Sequence, residues 1–497
     1  MNQKQELVDK TVSGAMWTYL ATYGSKLLVF ISTLILTYLI TKSDFGVVGY
    51  TIIITSLLDA VYDLGIGTAL IYHKEEEGLE DSAFWSMLLF SALICAITWP
   101  LAPLAGNYFN DPRAVDVVRV SVLFFPLTAL GNTHEFLIRK RMQFKKNLLP
   151  TVIGSFSKGL FSILFALLGF GYWSIILGQL ISAAAGTIVY WTIFPWRPSI
   201  NIKRSVVKSL TSYGIHIVLL NLLIALLLNV DYLIIGRFLG PEALGVYTLA
   251  FRIPDMIITQ FGIIINRVTF PAFVKIREAS NNLLMGYEAT LRFISAVILP
   301  LGAGIILTSA PFWKTFFPSS WEDAIPVMGA IAIFTTFTTL TVNAEAVYKA
   351  QGRLKTMVFL YLLRLILTVP TLYWTMINHQ SIVAIAWAQA AVAIIMWIIN
   401  TTVASRIVEL PYQRLLHTLR PSLVSTALMS FAVWGILQIT VSFKSVIQLF
   451  SAVIIGAVCY LVTLNWQDSS IIKEGLATFR RIFAKRQEGS LPTVLNS

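Results

Sequence analysis

Fourteen stretches of this chain stay apolar for about twenty residues or more, with only short polar breaks between them. They run at 12–41, 46–72, 82–108, 114–138, 148–170, 172–195, 211–239, 244–274, 287–313, 324–349, 354–377, 381–405, 421–441 and 445–466. A helix needs about 20 apolar residues to cross the hydrocarbon core of a bilayer. In lipid every backbone amide must also be satisfied within the segment, so runs of this length are read as spanning helices. Composition agrees, with 56% hydrophobic and 12% charged residues, where a soluble chain carries roughly 25% charge. An ordinary soluble enzyme, a disordered chain and a fibrous protein are excluded. The predicted fold is an all-α integral membrane protein of 14 transmembrane helices. Two divisions rest on short breaks, Gly169-Phe170-Gly171 and Asn378-His379-Gln380. The polar start MNQKQELVDK leads into a long apolar stretch, so no cleavable signal peptide is expected. Cys95 and Cys459 lie inside apolar stretches without a CxxC pattern, so neither a disulfide nor a thiolate metal site is expected.

The 37 Lys+Arg exceed the 25 Asp+Glu, a net charge of +12. Alternating the spans from a cytoplasmic N-terminus puts twenty-five basic residues in inner segments. Only five, Lys42, Arg113, Arg237, Lys314 and Lys444, fall in outer loops. That asymmetry follows the positive-inside rule, predicts both termini inside, and accounts for the charge without nucleic acid. After the last span, Ile472, Leu476, Phe479 and Phe483 share one helical face and leave Lys473, Arg480, Arg481, Lys485 and Arg486 largely elsewhere. This tail reads as a basic amphipathic helix on the inner leaflet, or as a solvated tail completing the charge pattern.

The first and seventh spans end alike, in LITKSDFGVV and FLGPEALGVY. Each has a polar break, an acid, a large apolar residue, then Gly46 or Gly245 followed by Val. Both spans start inside, so the pattern predicts two six-helix lobes in a parallel repeat, with two C-terminal helices added. The boundaries are 1–200 for the N-lobe, 201–410 for the C-lobe, 411–468 for the last two helices and 469–497 for the basic tail.

The span count, the repeat and the turns ITKSDFGVVGY and LGPEALGVYTL resemble polysaccharide exporters of the multidrug/oligosaccharidyl-lipid/polysaccharide flippase superfamily. The likeness is to Wzx-type flippases and colanic or teichuronic acid exporters, over about residues 8–440. It implies translocation of undecaprenyl-pyrophosphate-linked oligosaccharide from the cytoplasmic to the outer leaflet, through a cavity between two lobes that opens to each side in turn. It also implies residence in a bacterial inner membrane among its lipids, with a polysaccharide polymerase as a downstream partner.

A charge at the bilayer centre costs about 2.5–3.5 kcal/mol on insertion scales, so such residues should face a cavity or a partner. Lys26, Asp59, Asp63, Lys158 and Arg364 fall near mid-span, and Arg252 and Asp255 in the outer half of the eighth span. Asp59 and Asp63 are four apart and share a helical face, with Lys26 at similar depth on the neighbouring span. Two readings stand: a switchable site where substrate phosphate competes for Lys26 or a carboxylate binds a coupling proton or cation, and a static pair that fixes packing. Arg252 and Asp255 can neutralise one another at i,i+3. Lys26, Lys158, Arg252 and Arg364 are the candidate substrate-binding residues, cations suited to a pyrophosphate. Asp59 and Asp63 are the candidate ion-coupling residues. Trp99, Tyr108, Trp173, Trp313, Trp321 and Trp374 at the outer helix ends read as an interfacial belt, or as sugar-stacking platforms. Pro126, Pro254, Pro300 and Pro370 interrupt helices and mark bends.

No Walker A, HExxH or GxSxG pattern is present, so neither an enzyme nor a cofactor is expected. Energy then comes from an ion gradient, the membrane potential or product removal. The rival is a cation-coupled multidrug antiporter of the same superfamily, whose cavity would be dominated by acids.

Overall fold

The computed structural model describes residues 22–471 apart from 63–65, 68–69, 71–77, 202 and 281, and describes backbone alone for 204–217, 219–220, 264, 267–268 and 280. Asp63 and almost all of the basic tail lie outside the described residues. The described residues contain no strand.

The chain forms α1 (Thr22–Leu39), α2 (Lys42–Tyr62), α3 (Leu79–Phe109), α4 (Arg113–Ser121), α5 (Phe124–Lys140), α6 (Leu148–Leu167), α7 (Trp173–Ile193) and α8 (Arg204–Phe238). It continues as α9 (Gly240–Pro254), α10 (Gln260–Ser280), α11 (Leu284–Phe316), α12 (Ala324–Ala350) and α13 (Leu354–His379). The last three are α14 (Ile382–Ile407), α15 (Tyr412–Ile439) and α16 (Ser445–Gln467). Among the described residues, 13 helices are long and apolar enough to cross a membrane, with α4 and α5 counted as one. They coincide with thirteen of the predicted stretches. The eighth, 244–274, is not a single α-helix: α9 ends at Pro254, Asp255–Thr259 form a π-helical turn, and α10 follows.

Proline chemistry explains the two breaks. Pro254 has no amide hydrogen to donate to Ala250 and crowds that carbonyl, and the wider π turn follows it directly. Pro126 removes the same bond to Val122, and α4 gives way to α5 across Val122-Leu123. Pro300 and Pro370 sit inside α11 and α13, which continue through them. The Gly169–Gly171 break is a turn between α6 and α7, with both glycines at positive φ, 83° and 53°.

The repeat turns hold explicit start signals. Thr41 and Asp44 form a capping box at the start of α2: the Asp44 amide donates to Thr41 Oγ1 at 3.2 Å, and the Thr41 amide donates to the Asp44 carboxylate at 2.9 Å. The other Asp44 oxygen accepts from the Tyr172 amide at 3.2 Å, at the head of α7. In the second turn Gly240 has φ 77°, and Pro241 and Glu242 fill the first turn of α9 as a helix start favours. A Cβ on Gly46 would lie 1.7 Å from the Pro241 carbonyl oxygen, and one on Gly245 2.1 Å from the Lys42 carbonyl oxygen. Lys42 precedes Gly46 by four residues, as Pro241 precedes Gly245. The contact is therefore reciprocal, as a two-fold-related pair requires.

The helices divide into two compact units. One comprises the chain through Ala250 with Phe316–Ala324 and Tyr361–Ala388; the other comprises Phe251–Thr315, Ile325–Leu360 and the chain from Gln389. In the first, α6 and α7 form a tight hairpin: a Cβ on Gly178 would sit 2.1 Å from Ser162 Oγ. Its buried core includes Met87 on α3, Phe125 and Leu137 on α5, and Phe194. In the second, Ala296 of α11 packs with Met429 and Val433 of α15 and Ala452 of α16, and Tyr460 donates its hydroxyl to the Ala296 carbonyl at 2.6 Å.

Just past α16, Asp468 pairs with Arg292 of α11, and Ser470 joins both. Burial works against the Asp468 charge, but the Arg292 guanidinium and the Ser470 hydroxyl and amide hold its carboxyl below the ordinary value. A depressed folded-state pKa adds stability that is present above the unfolded pKa and is lost as pH falls through the folded one. Thermal melts of wild type should therefore fall on acidification below the usual carboxylate range more steeply than those of Asp468→Asn, which lacks this titration. Parallel melting curves would contradict the assignment.

Candidate functional site

The basic residues assigned to outer loops are mostly tied down. Arg113 binds Asp111, its Nε 3.0 Å from Oδ1, and both guanidinium ends reach Ser43 Oγ at 3.2 Å. Arg237 donates to the carbonyls of Tyr108 at 2.6 Å and Asn107 at 3.0 Å. These are carbonyls of the last turn of α3, which a cation there satisfies. Lys42 Nζ lies 2.6 Å from Asp323 and 4.0 Å from Glu242. Arg113, Arg237 and Lys42 are thus each held by a carboxylate or by backbone carbonyls.

The deeper charges are placed differently. Lys26 is half-buried on α1, and Lys158 is half-buried on α6 with Nζ 3.4 Å from Gln179 Oε1. The two helices touch where a Cβ on Gly159 would meet Ser32 Cβ at 3.1 Å. As the first and fifth of alternating spans they run in the same direction, so at about 1.5 Å per residue Lys158 lies between about one and two helical turns from the level of Lys26. Asp59 lies near the same level on α2, and its side chain is exposed. An exposed carboxylate on a spanning helix needs water or a polar partner beside it. Arg364 is half-buried on α13, in the part of that helix belonging to the first unit; Tyr373 of the same part meets Phe238 of α8 at 6.0 Å between ring centroids. Arg252 closes α9 in the second unit, and Asp255 opens the π turn beside it; both are half-buried.

Asp231, which the sequence places in the outer third of the seventh span with no role assigned, is buried in the structure. Asp231 of α8 is 2% exposed; it accepts the Tyr247 hydroxyl at 2.6 Å and the Tyr232 amide at 3.0 Å. The only signal was an acid inside an apolar stretch, and its partner lies on the next helix, beyond the repeat turn. Two of the outer aromatics are buried in the protein rather than set out in a belt. Trp313 and Trp321 are each 1% exposed. Trp313 packs its indole N–H on Met328 Sδ at 3.2 Å; Trp321 donates to the Thr37 carbonyl at 3.2 Å and meets Phe45 edge-on. Trp99 and Trp374 remain exposed, as a belt requires.

A family model described as polysaccharide biosynthesis protein matches residues 35–326. The teichuronic acid biosynthesis protein TuaB of Bacillus subtilis is 24% identical over 474 residues, covering 92% of this chain and 96% of that protein. The lipopolysaccharide biosynthesis protein WzxC of Escherichia coli is 26% identical over 333 residues, 66% of this chain and 67% of that protein. Among solved structures, the lipid II flippase MurJ in an inward closed conformation is similar in fold, with a TM-score of 0.72 at 14% identity over 92% of this chain and 100% of that one. With over half its length matched by the family model, this multi-span membrane chain belongs to the polysaccharide biosynthesis protein family.

Proposed function

We propose that this chain is a flippase for undecaprenyl-pyrophosphate-linked oligosaccharide repeat units. It moves them by alternating access from the cytoplasmic to the outer leaflet of a bacterial inner membrane, for exopolysaccharide, capsule or O-antigen assembly. The observation that carries this is the similarity to TuaB, which runs through 92% of this chain and 96% of that protein. The fold shared with a lipid II flippase supports it. Both termini are cytoplasmic, following the charge asymmetry of the loops. The working halves are the lobes 1–200 and 201–410.

In this scheme the polyprenyl tail stays in lipid while the charged headgroup needs a polar path. Lys26, Lys158, Arg252 and Arg364 provide it: each is half-buried, and each offers donors to phosphate oxygens. Asp59, with Asp63, takes up the coupling ion. The chain transports rather than transforms its substrate, and it hands the glycan to a polymerase. A cation-coupled drug antiporter would want a cavity dominated by carboxylates, where the first unit instead carries the half-buried cations Lys26, Lys158 and Arg364. Deleting the gene should abolish surface polysaccharide and make the polyprenyl-pyrophosphate-linked repeat unit accumulate, and the wild-type gene should reverse both. Normal polysaccharide in the deletion strain would count against the proposal.

A further inference from the structure

At the end of the first unit that carries the repeat turns lies an open cavity of about 580 Å³. That is within the roughly 300–1,000 Å³ typical of small-molecule sites. Its lining includes Tyr38, Lys42, Ser43, Glu242, Ser320 and Trp321. None of these belongs to the headgroup path proposed above.

Each side of the cavity has a definite chemistry. Tyr38 is anchored by its hydroxyl, which donates to the Phe316 carbonyl at 3.1 Å, yet the residue is 63% exposed, so its ring is held out as a fixed apolar wall. Trp321 is buried between Thr37 and Phe45 and forms a rigid floor. Ser43 and Ser320 add hydroxyls to the lining, the Ser43 oxygen accepting from the Arg113 guanidinium. At the charged rim Lys42 is largely covered, with 16% of its side chain exposed, and is engaged by Asp323 and Glu242. The two carboxylates are 70% and 72% exposed and keep acceptor oxygens turned to solvent. Glu242 lines the cavity and Asp323 reaches its Lys42 from outside the lining, while Arg113 holds Ser43 and is itself paired with Asp111; three acids against two cations leave the rim slightly negative. With no excess of cations it offers little to a phosphate or a uronic acid and favours a ligand rich in neutral hydroxyl donors. An aromatic wall against C–H groups, acceptor carboxylates for hydroxyls and a rigid floor are what an uncharged sugar ring requires.

We infer that this cavity is a carbohydrate subsite that takes one or two uncharged sugar residues. If the chain is the flippase proposed above, with the turns on the outer side, this subsite receives the glycan as it is delivered, while the phosphates remain on the cations deeper in the protein. It is thus a second, separate recognition element for the same substrate, reading sugar rather than headgroup.

The test uses the full chain in proteoliposomes, with Cys95→Ala and Cys459→Ala to remove native thiols and Ser320→Cys as reporter. Ser43→Cys serves as a second, independent reporter should the first perturb folding. Labelling by a membrane-impermeant maleimide is timed in glucose, galactose, N-acetylglucosamine or glucuronate, with sorbitol as the osmotic control. At a sugar concentration near twice its Kd, occupancy should slow labelling about threefold. At least one neutral sugar should do this, glucuronate should not, and Tyr38→Ala or Glu242→Gln should restore the unprotected rate. Equal rates in all sugars at both reporters, or protection by glucuronate as strong as by neutral sugars, would overturn the subsite. The flippase reading is scored separately by leaflet transfer of lipid-linked glycan. Protection without transfer keeps the subsite and sinks the flippase; transfer without protection does the reverse.

Discussion

Gly46→Ala should destabilise the protein by about 3 kcal/mol or more, at the upper end of what overpacking costs. The added methyl would sit 1.7 Å from the Pro241 carbonyl oxygen, and a main-chain atom at a helix start cannot swing aside as a side chain can. Gly245→Ala should cost a comparable amount, because its methyl would meet the Lys42 carbonyl oxygen at 2.1 Å and the Gly46 amide nitrogen at 2.9 Å. Close backbone approach at small residues is how spanning helices pack without a hydrophobic drive between them. The two substitutions strike one contact, so their effects should not add. Gly304→Ala and Gly329→Ala are the controls. Nothing lies within 4 Å of either added methyl, and alanine is the better helix former by roughly 1 kcal/mol, so these variants should melt at or slightly above wild type. Thermal unfolding in detergent, followed by dye capture of Cys95 and Cys459, reads all four. Wild-type melting of Gly46→Ala would refute the reciprocal contact.

The second large effect concerns transport rather than stability. Lys26→Glu, Lys158→Glu, Arg252→Glu and Arg364→Glu should each slow export by at least about tenfold, since losing one charge-assisted contact to phosphate removes 1.4 kcal/mol or more. Lys158→Arg, which keeps the charge and the reach to Gln179, should retain most activity. Membrane content of each variant, measured alongside, separates lost transport from lost protein. Export at the wild-type rate in all four reversals would remove the cationic path from the account.

Most of the helical layout was readable from composition along the chain, because lipid imposes one rule on every span: satisfy the backbone internally and stay apolar for its length. That rule locates even the divisions at Gly169–Gly171 and Asn378–Gln380, where left-handed residues end the helices. It says nothing about what happens inside a span, so the π turn behind Pro254 escaped it. Pro254 was recognisable as an interruption, but Pro300 and Pro370 carry the same signal within unbroken helices. Which prolines break a helix depends on whether neighbours absorb the freed carbonyl, and that is tertiary information. The same limit applies to Trp321 and Lys42. A tryptophan and a lysine at helix ends fit an interfacial belt and an outer loop. Burial of one and pairing of the other follow from residues 316–324 folding back on the α1–α2 turn, some 280 positions earlier: Lys42 and Asp323 are 281 residues apart. Gly46 and Gly245 stood out as a repeat, yet nothing in the one-dimensional pattern indicates that the two copies press on each other.

The most direct measurement is leaflet transfer by the purified chain in liposomes. A polyprenyl-pyrophosphate oligosaccharide is placed in one leaflet and its arrival in the other is timed with a sugar-modifying enzyme, with and without proton and sodium gradients. Transfer well above protein-free liposomes, lost in Lys158→Glu and Arg364→Glu, is the predicted result. Failure to move any lipid-linked oligosaccharide, together with efflux of organic cations from the same vesicles, would contradict it and identify the chain as a drug antiporter.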